Sequence, residues 1–424
     1  MTSEASTVLR LICKTQSYDW GKVGSESQVA QLASSTAGFT PRDDAPYAEL
    51  WMGTHPSGAS VSVESQEPLK SLLTQQNLGP KMHAKYEGDL PFLFKILSIG
   101  KALSIQAHPD KALAKELFAK RPDLYKDDNH KPEMAVAITP FEAFVGFRPL
   151  HEIATNIKAY PEFASLIGQE TAQKFLTQVS SSGTSTTPED VQNNKAALKA
   201  VFQALMECSQ EALTQHLRSL IGRIEAEGKY EEQGSLPELV VRLNRQFPDD
   251  VGIFCALLLN YVKLQPGEGI FLAANEPHAY LSGDCVECMA ASDNVVRSGL
   301  TPKFKDVSTL VRMLTYNYTS PEAQILRGDP YDDCKRTVLY DPPIEEFSIL
   351  RTNLKAEESE VVKAIAGPSV VIVTEGSGKI KYTENGAHRE QSADKGYVFF
   401  VAAGLDVELE AKGEDFVSYR AFCA

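Results

Sequence analysis

No stretch of this sequence approaches the roughly 20 apolar residues needed to span a bilayer. Met1 to Arg10 also lacks the apolar core of a secretory signal. No membrane association is expected, and the cytoplasm is the default compartment. Cysteine is sparse: Cys13, Cys208, Cys255, Cys285, Cys288, Cys334 and Cys423 are too few and too scattered for a secreted disulfide framework, and read as reduced thiols. Positive charge is short as well. With 42 Lys and Arg against 56 Asp and Glu, the formal charge of −14 argues against nucleic-acid binding as a global property. It leaves room for a local basic pocket that takes a small anion.

What remains has the composition of an ordinary globular protein, 43% hydrophobic and 23% charged. A chain of 424 residues is about three times the rough 150 residues of one domain, so two or three domains are expected. Up to about residue 149, short apolar runs are broken by Gly, Pro, Asn and Asp, which reads as strands joined by irregular loops. The clearest are Tyr47 to Gly53 and Pro91 to Leu97. One helix is expected among them, capped by Asp110, with Leu113 and Leu117, then Ala114 and Phe118, at i,i+4 and an end before Pro122.

From about Pro149 to Leu259 the periodicity is helical. Ser180 to Thr187 reads as a loop leading into a helix capped by Thr187, with Pro188 at its first position. Ser209 opens another, with Leu213, Leu217, Leu220 and Ile224 on one face and Gly228 as terminator. A third runs from Pro237 to Phe247. Core packing explains these stripes, and none carries chemistry. Strand character returns at Tyr261 to Leu264 and Gly269 to Leu272, so the helical segment reads as an insertion into a β domain. After about Asp329 the chain is β again, with Asn385-Gly386 as a hairpin turn. There Gly396 to Ala403 repeats the texture of Gly267 to Ala274, and laying one on the other puts Val407 where the first copy has His278. Either the C-terminal domain is a related barrel without a metal site, or apolar strands coincide.

Gln106 and His108 lie two residues apart in an apolar segment, a spacing that points both side chains one way on a strand. Glu133 and His278 could complete a set of two imidazoles, one carboxylate and one amide, suited to zinc with positions left open for water or substrate. The bland alternative is a loop-capping Gln, a His in a turn before Pro109 and a half-buried His278. Lys131 projects to the same side as Glu133 and is either a phosphate or proton-handling cation or a surface lysine. Cys285-Val286-Glu287-Cys288 has no second cysteine pair and no βαβ context, so redox and zinc-ribbon readings fail. Glu287 shares a strand face with Cys285, a face that could line a barrel interior, and is a candidate acid or base. Arg297 and Lys303 sit six residues apart in a polar loop that also holds Asp293. They are either anion-binding or simply solvated.

At these residues the sequence resembles the type I phosphomannose isomerases. The motifs are Tyr18-Asp19-Trp20-Gly21, Tyr47 to Pro56, Leu103 to Pro109, Asn129 to Met134, Pro277 to Tyr280 and Gly283 to Lys303, in the family's order. The resemblance implies a mainly β fold of two cupin-like jelly-roll barrels plus a helical domain. It divides the chain into a discontinuous catalytic zinc domain (1–149 with 260–328), a helical insertion (150–259) and a metal-free C-terminal barrel (329–424). It implies one zinc ion on Gln106, His108, Glu133 and His278. Arg297, Glu287 and Lys131 are then catalytic, and Ser104, Lys303, Tyr280, Asp293 and Trp20 bind substrate. The reaction would be an aldose–ketose isomerisation of mannose 6-phosphate and fructose 6-phosphate, by a monomer that feeds GDP-mannose synthesis. A metal-dependent cupin oxygenase and a non-catalytic sugar-phosphate-binding cupin are the alternatives. Anaerobic turnover separates the first and absence of turnover the second.

Overall fold

Strand pairing in the computed structural model, which describes residues 7–424, divides the β structure between two barrels. In the first, one wall runs through Phe92–Ile99, the later half of His278–Ala290, Glu133–Ala137 and Gly269–Leu272. The other wall runs through Ile105–Ala107, the earlier half of the same long strand, Phe141–Phe147 and Leu259–Leu264. One strand serves both walls because it turns at Gly283, whose φ is +107° and whose added Cβ would lie 2.5 Å from the Pro140 carbonyl oxygen. Only glycine tolerates both demands.

Alternation sorts the long strand's side chains. Val286 and Cys288 join Phe94, Ile96, Met134 and Val136 in a core shared with Val417, Tyr419 and Ala421 of the C-terminal barrel. Cys285 faces the other way, toward Leu97, Ala135 and Ile270, and Glu287 is buried on that same face by alternation. The two barrels therefore pack wall to wall, and the polar side chains that matter point inside the first.

Strand for strand, the second barrel follows the first. Ser348–Leu354, Phe416–Phe422, Ser369–Glu375 and Val398–Val401 form one wall; Ser359–Val362, Val407–Ala411, Gly378–Glu384 and Ala387–Ser392 form the other. The sequence echo is structural: Gly267 and Gly396 share φ of +88°, four-residue strands follow two residues later, and His278 and Val407 each open the next strand. Chain order matches throughout. The two-residue Asn385-Gly386 turn, both residues at positive φ, stands where the first barrel inserts its helices.

That insertion starts at Leu150–Ala159 and ends at Gly252–Cys255. Thr187 and Ser209 cap Pro188–Met206 and Gln210–Glu227 as expected, and Gly228 is left-handed. Leu213, Leu217, Leu220 and Ile224 are all buried, each contributing about 1.5–3 kcal/mol. Ser180 to Thr187 differs from the expected loop. Gln169–Ser182 is helical through its first serines: the buried Ser182 hydroxyl lies 3.2 Å both from the Gln178 backbone carbonyl one turn back and from Asn194 Oδ1 of the next helix, contacts that hold it within the helix.

Two further differences follow from the limits of periodicity. Besides Lys111–Lys120, capped by Asp110, the first part holds Gln28–Ala33, Leu69–Leu72, Gln75–Leu78 and Pro80–Lys85. Each is too short to show a 3.6-residue repeat; caps at Ser27 and Thr74 and Pro80 at a first position define them instead. The strand Val8–Ile12 pairs with Val398–Val401, so the start of the chain extends a wall of the C-terminal barrel and crosses the division by sequence range. The expected strand at Tyr47 to Gly53 is split at Ala48, Pro46–Tyr47 pairing with Lys22–Val23 and Glu49–Met52 with Phe92–Ile99.

Candidate metal centre and active site

His108, Glu133 and His278 converge inside the first barrel, one potential ligand atom from each lying within 4.8 Å of the others. The convergence follows from register. Glu133 opens a strand paired to Leu272, His278 opens the next strand, and Gln106 lies directly across from His278. Gln106 is also paired to Arg297, so the amide strand sits between an imidazole and a guanidinium. His108 falls one residue beyond the end of Ile105–Ala107, held there by the Asn275 N–H to its carbonyl at 2.8 Å.

Backbone carbonyls orient both imidazoles. His108 Nδ1 lies 2.6 Å from the Asn294 carbonyl and His278 Nδ1 3.1 Å from the Glu276 carbonyl. With the Nδ1–H groups donated there, both Nε2 lone pairs face Glu133, at 3.4 Å for His108 and 3.3 Å for His278. His108 Nε2, His278 Nε2 and Glu133 Oε2 are buried without hydrogen-bond partners. Three orphaned donor atoms aimed at one point are costly unless something bridges them, and a divalent cation would do so. Burial pulls His108 below its usual range, against the opposing pull of Glu133. Burial would raise Glu133, yet His108 and Lys131 outweigh it and hold the carboxyl well below the carboxylate range.

Beneath this cluster lies an ion triad that the motifs alone do not reveal. Lys95 reaches Glu287 at 3.3 Å and Glu49 at 3.8 Å, all three side chains being at most 10% exposed. Trp51 Nε1 also donates to Glu49, and the Lys95 ammonium stands 5.3 Å from the Trp51 ring. Burial would lower Lys95, but Glu49 and Glu287 hold it charged. Glu287 is pushed upward by burial, with Glu133 and Glu49 adding to the shift and Lys95 opposing it. A lone lysine inside the otherwise apolar Phe92–Ile99, directly paired with Glu287, was the available signal.

The remaining expected residues fall into four groups. Lys131 joins the cluster, its Nζ 3.2 Å from Glu133. Tyr280 is buried on the barrel wall, where burial and the Glu287 and Glu133 charges push its phenol well upward. Trp20 packs against the same interior, its carbonyl accepting from Gly100 and Lys101. Arg297 is half-buried without an ion-pair partner among the described residues, and burial alone lowers it. Ser104 is half-buried on the segment held by the Leu103 N–H to the Tyr280 carbonyl. Lys303 and Asp293 are not drawn into the cluster; both are exposed on loops. The Asp293 loop is clamped by Asp127, which accepts from Ser292 Oγ, Asn294 Nδ2 and the Asp293 N–H. That clamp fixes the carbonyl that orients His108, and no local motif announces it.

A duplicated jelly roll with a His-Glu-His cluster inside one copy defines a cupin whose first barrel carries a candidate metal site. The chain matches the families described as phosphomannose isomerase type I catalytic domain over residues 8–150, helical insertion domain over 166–259 and C-terminal over 337–385. It is 48% identical to the mannose-6-phosphate isomerase of Saccharomyces cerevisiae over 99% of both chains. A mutant phosphomannose isomerase from Salmonella typhimurium superposes with a TM-score of 0.82 at 28% identity, over 99% of this chain and 100% of that one. A zinc-bound mannose 6-phosphate isomerase gives 0.80 at 28%, with the same coverage. The chain belongs to the type I phosphomannose isomerase family, and is an aldose–ketose isomerase.

Proposed function

We propose that this protein interconverts mannose 6-phosphate and fructose 6-phosphate through an enediolate, with one zinc ion held by Gln106, His108, Glu133 and His278. The observation that carries the reading is the set of three orphaned donor atoms in a buried barrel within this family's fold. Two imidazoles, a carboxylate and an amide suit zinc while leaving coordination positions open, and zinc has no redox chemistry of its own. When bound, zinc supplies positive charge that stabilises oxygens on carbons 1 and 2 as they become negative.

Glu287 is the proposed base that moves the proton between carbon 2 and carbon 1. Its upward shift brings a carboxylate closer to the operating pH, where general-base transfer is most effective. Lys95 holds it in place. Lys131 is the second candidate, though its ammonium is already engaged with Glu133. Arg297, free of any carboxylate among the described residues, stabilises developing negative charge or the phosphate. Lys303 supplies a further phosphate cation from the exposed loop. Trp20, Ser104, Tyr280 and Asp293 orient the sugar.

The proposed domains are 1–149 with 260–328, 150–259 and 329–424, in a monomer. We place it in the cytoplasm, supplying mannose phosphate for GDP-mannose synthesis and glycosylation. No helix among the described residues is long and apolar enough to cross a membrane. Metal analysis of the purified protein, together with a mannose 6-phosphate to fructose 6-phosphate assay, tests the proposal. About one zinc per chain with turnover is expected, and a folded, zinc-loaded protein without turnover would sink it.

A further inference from the structure

The second barrel has a buried polar group of its own. Register carries each site residue of the first barrel to a counterpart: Glu133, paired with Leu272, corresponds to Ser369, paired with Val401. Gln106 corresponds to Val362, each lying across from the residue that opens the following strand. Glu287, across from Ala135 and Lys95, corresponds to Arg420, across from Val371 and Leu350. Where the first barrel buries a carboxylate beside a lysine, the second buries a guanidinium beside a leucine.

Arg420 is 5% exposed. Its Nε donates to Ser369 Oγ at 2.8 Å, while its buried Nη2 meets no acceptor, and no carboxylate among the described residues forms an ion pair with it. Around it lie Leu350, Val362, Ile365 and Phe422, with Tyr331 and Cys334 only partly buried at the margin. An uncompensated guanidinium in such walls is among the costliest arrangements a fold can hold, because the charge loses its hydration and gains no counter-charge. Burial draws Arg420 down to about 10, so it remains charged at neutral pH, and no ion pair among the described residues supplies a counter-charge.

We propose that the interior of the C-terminal barrel is an anion site, in which one small monovalent inorganic anion of chloride size is held by Arg420 Nη2. A single cation with no second one on the walls neutralises one negative charge, which disfavours phosphate or sulfate dianions. The apolar side chains around it leave no partners for a polyatomic ligand's further oxygens. The duplication has thus kept a charged position in the barrel while reversing its sign: cations belong in the first barrel and an anion in the second.

Crystals of the full chain soaked in bromide, measured at the bromine absorption edge, provide the test. The expected result is an anomalous peak within hydrogen-bonding distance of Arg420 Nη2. In parallel, chloride should raise the wild-type melting temperature relative to gluconate at equal ionic strength, because an ion that binds only the native state stabilises it by mass action. Arg420→Met should abolish that anion-specific rise. Water-like density without an anomalous signal, or a wild-type melting temperature indifferent to chloride, would overturn the proposal. So would a folded Arg420→Met protein that keeps the chloride response. If Arg420→Met does not fold, the soak and the wild-type titration decide.

Discussion

The two barrels run through the same strands in the same order, yet they bury opposite things. The first surrounds two histidines with Glu49, Glu133 and Glu287 and two lysines; the second offers Val362, Ser369, Val407 and one arginine at the equivalent or adjacent positions. Backbone geometry, down to the shared φ of Gly267 and Gly396, survives this divergence. The lesson is that one jelly-roll frame can hold a mostly apolar interior or a densely charged one, and that each charge it buries needs support. The support is visible: carbonyls on both imidazoles, the Asp127 clamp behind one of them, and the Lys95 triad below.

The sharpest way to break the comparison is to remove a ligand from one barrel and its counterpart from the other. Glu133→Gln or His278→Val should lose the metal and lower kcat by about 10³-fold or more. Val407→Ala should keep both metal and kcat while costing stability, about 2 kcal/mol, through its cavity. Metal analysis, kinetics and denaturant melts check the pair. A chelator should likewise abolish turnover, zinc should restore it, and the second barrel should remain folded throughout.

Glu287→Gln comes next. Proton exchange at carbon 2 should slow by about 10²–10³-fold with zinc content unchanged; exchange at the wild-type rate would remove Glu287 as the base. Asp127→Ala frees the Asn294 loop and should weaken metal affinity by about 10–100-fold, the usual effect of losing a group that orients a ligand. Titration against a competing chelator measures it.

The smallest effect concerns the seam between the barrels. Glu346 accepts from His130 Nε2 at 2.7 Å and from Lys111 at 3.0 Å. Burial would raise its carboxyl, but those two partners hold it at about 2. A folded-state value below the ordinary 4.5 means that the contact stabilises fully above that pH and is lost as pH falls from about 4.5 toward 2. Melting temperature against pH should therefore fall less steeply across that window for Glu346→Gln than for wild type, with activity at neutral pH little changed.

Sequence reading reached the convergence of His108, Glu133 and His278 because residue types able to hold a metal are few and sit in distinctive local motifs. It reached the long helices because 3.6-residue periodicity needs several turns to emerge, and Gln210–Glu227 supplies them. Gln28–Ala33 does not. Lys95, Glu49 and Asp127 escaped because their roles exist only across strands: nothing near Lys95 in the chain shows that Glu287 lies opposite it. The pairing of Val8–Ile12 is invisible for the same reason at longer range. Arg420 looks like any surface arginine until its strand is found to be buried on both faces.

The position of Val8–Ile12 also sets an order of events during synthesis. Its partner, Val398–Val401, is almost 390 residues further along. At about 5–20 residues per second, the early strand waits roughly 20 to 80 s on the ribosome before its hydrogen bonds can close. Leu11 and Ile12 can pair early with Ser62 and Val61, but throughout that interval the edge that will meet Val398–Val401 stays open to other chains. The C-terminal barrel is therefore the one that closes on Val8–Ile12, and a nascent chain halted before Val398 leaves that edge open.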